Sequence, residues 1–153
     1  MGEGTLDQLA GDLPPVAALL WRPASWVRQQ IMAALRDAGF DDVLPAHLSV
    51  LQHPGPDGQR PGLLATRTNL SKQAMNHLLR QLERGGYIVR EPDPEDGRSR
   101  LVRLTEQGRA AVEVIGEAVR KIETSWVELL GVRAHRDLQR ALQALVSALD
   151  DGP

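Results

Sequence analysis

The chain has 153 residues, 42% hydrophobic and 25% charged, which fits one soluble domain with a real core. Cysteine is absent, and that excludes disulfides, thiolate metal sites, iron–sulfur clusters and thiol catalysis together. The net charge is −2, a poor start for a polyanion binder, but the charge is unevenly placed. Between Arg60 and Arg103 nine basic residues stand against five acidic ones, a net of +4. The rest of the chain holds nine basic and fifteen acidic residues, a net of −6. A basic middle between acidic arms suits one face turned toward an anionic partner. The longest apolar run, Val16 to Trp21, is six residues, too short for a membrane span. Met1 to Thr5 carries no positive segment, and Leu6 stands where a myristoylation signal needs Ser or Thr. A cytoplasmic protein with no membrane partner is expected.

From Asp12 to Ala38 the positions Val16, Leu19, Leu20, Pro23, Val27, Ile31, Leu35 and Ala38 step by three and four, the helical period. Asp12 is placed to cap this helix, Pro14 and Pro15 fit its first turn, and Gly39 ends it. Pro23 predicts a kink or two abutting helices. Pro45 opens a short helix to about His53, with Leu48 and Leu51 inward, and Pro54-Gly55-Pro56-Asp57-Gly58 is a loop. Another short helix covers Pro61 to Arg67. Thr68-Asn69-Leu70 is a break in which Asn69 tolerates the left-handed conformation, and Ser71 has the chemistry of an N-cap. The helix from Lys72 to Arg84 is the best patterned: Ala74, Met75, Leu78, Leu79 and Leu82 make one apolar stripe. Gly85-Gly86 ends it.

Tyr87 to Arg90 and Arg100 to Leu104 read as strands joined through a turn-rich tip, a β-hairpin. Thr105 caps a helix to about Leu130, carrying Val112, Ile115, Val119, Ile122, Trp126 and Leu129 at helical steps. Gly131 breaks it, and a last helix from about Arg133 to Leu149 shows Leu138, Leu142, Leu145 and Leu149. The predicted fold is mainly α with a small β-hairpin wing: a winged helix-turn-helix, with long N- and C-terminal helices forming a dimerisation region. It is expected as one domain over residues 12–149, with a DNA-binding lobe at about 45–104 and dimerisation helices at about 12–38 and 105–149. One small lobe has too little surface to cover both outer stripes, so a second copy of the chain is expected against them.

The polar face of the Ser71–Arg84 helix carries the chemistry. Gln73 and Asn76 can pair bidentately with adenine, Lys72 with guanine, and Ser71 or His77 with either. Arg80, one turn further, suits a phosphate. No acidic residue interrupts this face before Glu83. At the hairpin tip Asp93, Glu95 and Asp96 look hostile to phosphates, but Asp96 can hold the Arg98 guanidinium by a charge-assisted bond and fix where it points. An arginine presented there suits a minor groove, and Arg100 stands beside it.

These residues carry a resemblance. Asp93-Pro94-Glu95-Asp96-Gly97-Arg98-Ser99, followed by Val102-Arg103-Leu104-Thr105-Glu106-Gln107-Gly108, resembles the wing signature of the MarR family of bacterial transcription regulators. Leu64-Ala65, Leu70-Ser71, Leu82-Glu83, Gly86-Tyr87 and Arg90 stand at that family's spacing. The resemblance implies a homodimeric, sequence-specific DNA-binding regulator on a pseudo-palindromic operator, a repressor that releases DNA on binding a small aromatic or amphipathic ligand. It also implies dimerisation through the first and last helices. It makes Arg98 the minor-groove arginine, Asp96 its orienting partner, and Ser71 to Arg80 the recognition surface. Thr68, where the family usually has an apolar residue, Asn69, where it often has Gly, and Gly62 inside a short helix depart from the pattern.

The expected ligand lining is Trp26, Phe40, Val43, Leu44 and His47, with Trp126 from the long helix. The histidines His47, His53, His77 and His135 have no chelating spacing and read as solvated surface groups, so no metal is expected. No phosphate loop, nucleophile elbow or motif-placed carboxylate pair is present, so neither an enzyme nor a cofactor is expected. The rival reading is a winged-helix protein-interaction module without DNA binding, which would need an apolar or acidic face where Ser71 to Leu82 is carboxylate-free.

Overall fold

The computed structural model describes residues 14–52 and 57–150, so the expectations at Asp12, His53 and Pro54-Gly55-Pro56 lie outside the described residues. The described elements are six α-helices and one hairpin in the predicted order: α1 (Val16–Asp37), a 3₁₀ turn (Pro45–His47) running into α2 (Leu48–Leu51), α3 (Pro61–Arg67), α4 (Lys72–Arg84), β1 (Ile88–Pro92), β2 (Arg100–Leu104), α5 (Glu106–Leu130) and α6 (Val132–Asp150). The chain divides into two compact units, one ending at Gly116 and the other starting at Glu117. No described helix is long and apolar enough to cross a membrane.

Several boundaries correct the sequence reading. Helix α1 runs unbroken through Pro23, so two abutting helices do not occur there. Proline removes a single N–H, and Leu19, whose carbonyl loses that partner, is half-exposed and open to water. Pro15 is the N-cap residue of α1 rather than part of its first turn. The short helix expected from Pro45 is a 3₁₀ turn followed by one α-turn, ending at Leu51. Strand β1 begins one residue later than expected and continues to Pro92, because Tyr87 is drawn into the core and Glu91 and Pro92 pair with Leu101 and Arg100.

In the N-terminal unit the core is built from one face of each element. Ile31 and Leu35 of α1, Leu48 and Leu51 of α2, Leu64 and Ala65 of α3, and Met75, Leu79 and Leu82 of α4 are all buried. Burying each large side chain stabilises the fold by roughly 1.5–3 kcal/mol. The α3–α4 turn depends on Asn69, which takes φ +53°, and on Thr68, whose hydroxyl donates to the Leu64 carbonyl at 2.8 Å. Two of the three departures from the family pattern, Thr68 and Asn69, therefore have a local use. Ser71 Oγ accepts from the Ala74 N–H at 3.1 Å and caps α4.

The hairpin is antiparallel, with Ile88 opposite Leu104 and Arg90 opposite Val102. Beyond it, the segment before α3 supplies a third edge. Gly58 N–H donates to the Val102 carbonyl, Val102 N–H donates to the Gln59 carbonyl, and Asp57 Oδ1 accepts from Leu104 N–H at 2.9 Å. Thr105 closes the hairpin: its hydroxyl donates to the Gly86 carbonyl at 2.6 Å and accepts from Gly108 N–H at 3.0 Å, capping α5. Gly108 has no alternative, since a Cβ there would overlap the Tyr87 carbonyl oxygen.

In the C-terminal unit Gly131, at φ +81°, separates α5 from α6. His135, 7% exposed, meets Glu123 through Nε2 at 2.9 Å.

Tyr87 is buried beneath the α4–β1 turn, stacks obliquely on Phe40 at 6.1 Å between ring centroids, and donates its hydroxyl hydrogen to Asp42. Burial first, and then the bond to the Asp42 carboxylate, push the phenol up to about 12 from 10.0. A raised phenol favours the protonated native state, so its contribution to stability is complete below pH 10 and is lost as pH rises through about 12. Tyr87 is the one tyrosine of the chain. An alkaline titration of tyrosinate absorbance on folded protein should therefore show a single midpoint near 12, and a midpoint near 10 would mean that the phenol is solvated.

Candidate nucleic-acid interface

Helix α4 is divided lengthwise. Its core face is closed, and Lys72, Gln73, His77 and Arg80 on the other face are exposed, with Asn76 half-buried at the border. Ser71, at the helix start, is exposed as well, although its hydroxyl is already committed as the cap acceptor. The exposed face carries two cations and no carboxylate before Glu83, and the helix N-terminus adds its own positive end. Such a face offers donors and mixed amides to base edges, and cations to phosphates.

The hairpin tip is organised differently from the expectation. Asp96 does not hold the Arg98 guanidinium. Its Oδ1 accepts from the Arg98 backbone N–H at 3.1 Å and its Oδ2 from the Ser99 hydroxyl at 2.8 Å. A two-residue separation lets the carboxylate close an Asx turn on the backbone, and the arginine side chain is left outside it. Among the described residues the Arg98 guanidinium makes no ion pair, and the residue is exposed. Arg100 is exposed too, with one long contact of 3.4 Å from Nη1 to the Arg90 carbonyl.

Sequence reasoning missed the anchor of the hairpin. Asp93 is 5% exposed and accepts from Arg60 Nε at 2.8 Å and from Glu95 N–H at 2.9 Å. Arg60 precedes α3, so this pair ties the hairpin to the helix before α4. It also answers the repulsion that the tip carboxylates threatened: Asp93 is neutralised by a cation, and both oxygens of Asp96 are occupied. No sequence signal marked Arg60, which lies 33 residues from its partner.

The expected ligand lining is only partly assembled. Two grooves open in the N-terminal unit. The larger, about 680 Å³, is lined by Val27 and Arg28 of α1 together with Pro45, Leu48, Leu70 and Leu78. The smaller, about 410 Å³, is lined by Arg28, Met32, Arg36, Val43, Leu44 and Pro45. Val43 and Leu44 line the smaller groove. Trp26, Phe40 and His47 are not among the lining residues. Phe40 packs on Tyr87, and Trp126 lies in the C-terminal unit.

His47 and His135 correct the reading of solvated histidines, being 4% and 7% exposed. His47 Nδ1 accepts from the Leu44 N–H at 3.1 Å, so Nε2 bears the hydrogen and donates to Gln81 of α4 at 3.1 Å. His77 is exposed, as expected. No cluster of three potential metal ligands occurs among the described residues.

A capped helix set across a short brace, followed by a hairpin locked to that brace, defines a winged helix-turn-helix of the DNA-binding type. A profile of the MarR family matches residues 42–99. The chain is 30% identical over 136 residues to the HTH-type transcriptional repressor Rv2887 of Mycobacterium tuberculosis, spanning 89% of this chain and 96% of that protein. It is 31% identical over 133 residues to the transcriptional activatory protein BadR of Rhodopseudomonas palustris, spanning 86% of this chain and 75% of BadR. The crystal structure of Rv2887 in complex with salicylic acid superposes with a TM-score of 0.62 at 29% identity, over 88% of this chain and 98% of that one. The chain therefore belongs to the MarR family: it is a DNA-binding transcription regulator and not an enzyme.

Two carboxyls of the wing, Asp93 and Asp96, are held below their ordinary value. Asp93 is lowered chiefly by the Glu95 N–H, and also by Arg60. Asp96 is lowered chiefly by the Ser99 hydroxyl and then by the Arg98 N–H. Lowered carboxyls stabilise the native state above their unfolded value of 3.8, and this stabilisation is lost as pH falls through the depressed native values. Asp93→Asn should consequently flatten the acid limb of a stability-against-pH curve while lowering stability at neutral pH. An acid limb identical to that of the parent would remove Asp93 from the role of anchor.

Proposed function

We propose that the protein acts as a homodimeric repressor on a pseudo-palindromic operator and leaves it when a small aromatic or amphipathic ligand binds. The observation that carries this reading is the exposed face of α4, polar and cationic on a helix whose other face is locked in the core. In this reading Ser71, Lys72, Gln73, Asn76 and His77 meet base edges, and Arg80 meets a phosphate. Arg98 enters the flanking minor groove beside Arg100, on a turn shaped by Asp96. The DNA-binding lobe is 45–104, and the remaining helices form the dimerisation part of one functional domain, 12–149.

Dimerisation is supported by apolar surface left uncovered within one chain. On α1, Val16, Leu19, Leu20 and Trp21 are exposed, Trp21 by 78%. On α6, Leu138, Leu145, Val146 and Leu149 are exposed, Leu149 by 81%. Large contiguous apolar surface on a soluble chain marks an interface. Two copies of α4 would then meet major grooves about 34–36 Å apart. The 680 Å³ groove is of a size for a small organic molecule and joins apolar walls to the cationic Arg28. Rv2887 has been crystallised with salicylic acid, and this supports a small ligand here. A ligand that favours one spacing of the two reading heads would shift the population away from the bound state. Repression rather than activation is favoured by the fuller match to Rv2887, of which the chain covers 96% against 75% of BadR.

Two measurements test the reading. Against a selected operator, Arg98→Ala should weaken binding by roughly 1–3 kcal/mol in gel-shift titration; unchanged affinity would remove the wing arginine from the interface. A chain ending at Gly131 should sediment as a monomer while the full chain sediments as a dimer, and a dimer persisting after truncation would mean that α6 is not the main interface.

A further inference from the structure

Asn76 stands half-buried at the edge of the α4 face, and its side chain is not free. Its Oδ1 accepts a hydrogen bond of 3.4 Å from Nη1 of Arg90 on β1. A guanidinium carries only donors, so the amide atom turned toward it must be the oxygen. Arg90 is held in turn from the same helix: its Nε lies 3.5 Å from the Glu83 carboxylate. The Arg90 side chain is 20% exposed, and its Nε and Nη2 are closed off from solvent with no hydrogen-bond partner among the described residues. Those two atoms are shut away from any phosphate, and Nη1 is turned to Asn76.

We propose that Arg90 is a positioning residue that sets which base Asn76 reads. The proposal rests on the reading that the α4 face meets base edges. With its oxygen engaged by Arg90, Asn76 has its amide N–H groups left to offer. Bidentate pairing with adenine requires the oxygen and nitrogen of the amide to face the base together, and an oxygen held toward Arg90, with one lone pair already used, disfavours that arrangement. The partners that suit a donor best are guanine, with acceptors at both O6 and N7, and the O4 of thymine; adenine offers N7 alone, beside an amino group that opposes a second donor. Gln73, exposed one turn earlier, has no such constraint among the described residues and keeps both halves of its amide. Two amides on one helix are thereby assigned different bases, and the half-buried cation on the hairpin is what separates them. Glu83 completes the arrangement by balancing the charge of Arg90.

The test is selection from random duplexes with the full-length protein, its Asn76→Asp variant and its Arg90→Met variant, with thermal melting to confirm folding. The parent should favour guanine or thymine over adenine by roughly tenfold at one position of each half-site. Asn76→Asp keeps an acceptor for Arg90 but has no donor, so preference at that position should move to cytosine or adenine, which carry amino groups. Arg90→Met should admit adenine at that position and leave the other positions unchanged, which a merely structural role would not do. Adenine selected by the parent at that position overturns the proposal, as does an unaltered profile from a folded Arg90→Met protein. Should Arg90→Met fail to fold, the parent and Asn76→Asp decide the matter: a donor-to-acceptor reversal supports the proposal, and adenine in the parent sinks it. If Asn76→Asp changes no position, or if no duplex is enriched at all, the base-reading assignment of α4 fails first and the proposal falls with it.

Discussion

A carboxylate taken out of water must be compensated or protonated, and Asp93 is the carboxylate on which this lobe is hung. It sits on the short hairpin yet is 5% exposed, and its compensation comes from a residue 33 positions earlier, Arg60. Because Arg60 stands immediately before α3, satisfying one buried charge fixes where the hairpin lies relative to the brace helix. The main-chain bonds between Gln59 and Val102 act in the same place and direction. An exposed ion pair would add little to such a small structure. Here one partner is buried, and the bond does its work in placement, since the wing and the reading helix must be held in one frame if both are to meet a duplex.

Helix α4 shows the same economy. Its apolar face is consumed by the core, its start is capped by Ser71, and its approach is turned by Asn69 at φ +53°. What remains is a strip of polar side chains whose positions are decided from below. His47 reaches Gln81 and Arg90 reaches Asn76, each from a neighbouring element. The helix is thus tied laterally by polar contacts as well as by packing, and those contacts are directional where packing is not.

Most of the fold was legible because it is written in short-range rules. The stripe from Met75 to Leu82, the cap at Ser71, the left-handed Asn69, the cap at Thr105 and the break at Gly131 each depend on a few neighbouring residues. The structure places all of them as the periodicity and turn chemistry require. What escaped depends on partners remote in sequence. Asp93 looks like a tip carboxylate until Arg60 is brought beside it. His47 looks like a surface imidazole until Gln81 is beneath it. Asp96 and Arg98 are close in sequence, yet the backbone N–H of Arg98 outcompetes its guanidinium for the carboxylate, because a two-residue spacing favours a turn over a side-chain pair. The candidate reading face was visible residue by residue, while the orientation of Asn76 was not, since nothing in the α4 sequence announces a cation from β1. The groove was half-visible: Val43 and Leu44 follow from apolar spacing, but Phe40 was claimed by Tyr87.

The small sheet has a further consequence for how the molecule behaves among its own copies. Strand β2 has both edges occupied, by β1 on one side and by the Gln59 segment on the other. The outer margin of β1 is where another strand could add, and that margin ends in Arg90, Glu91 and Pro92, two charges and an imino acid with nothing to donate. Such a margin discourages ladder extension from one molecule to the next. β-type stacking between copies is thereby disfavoured along the thinnest element of the chain.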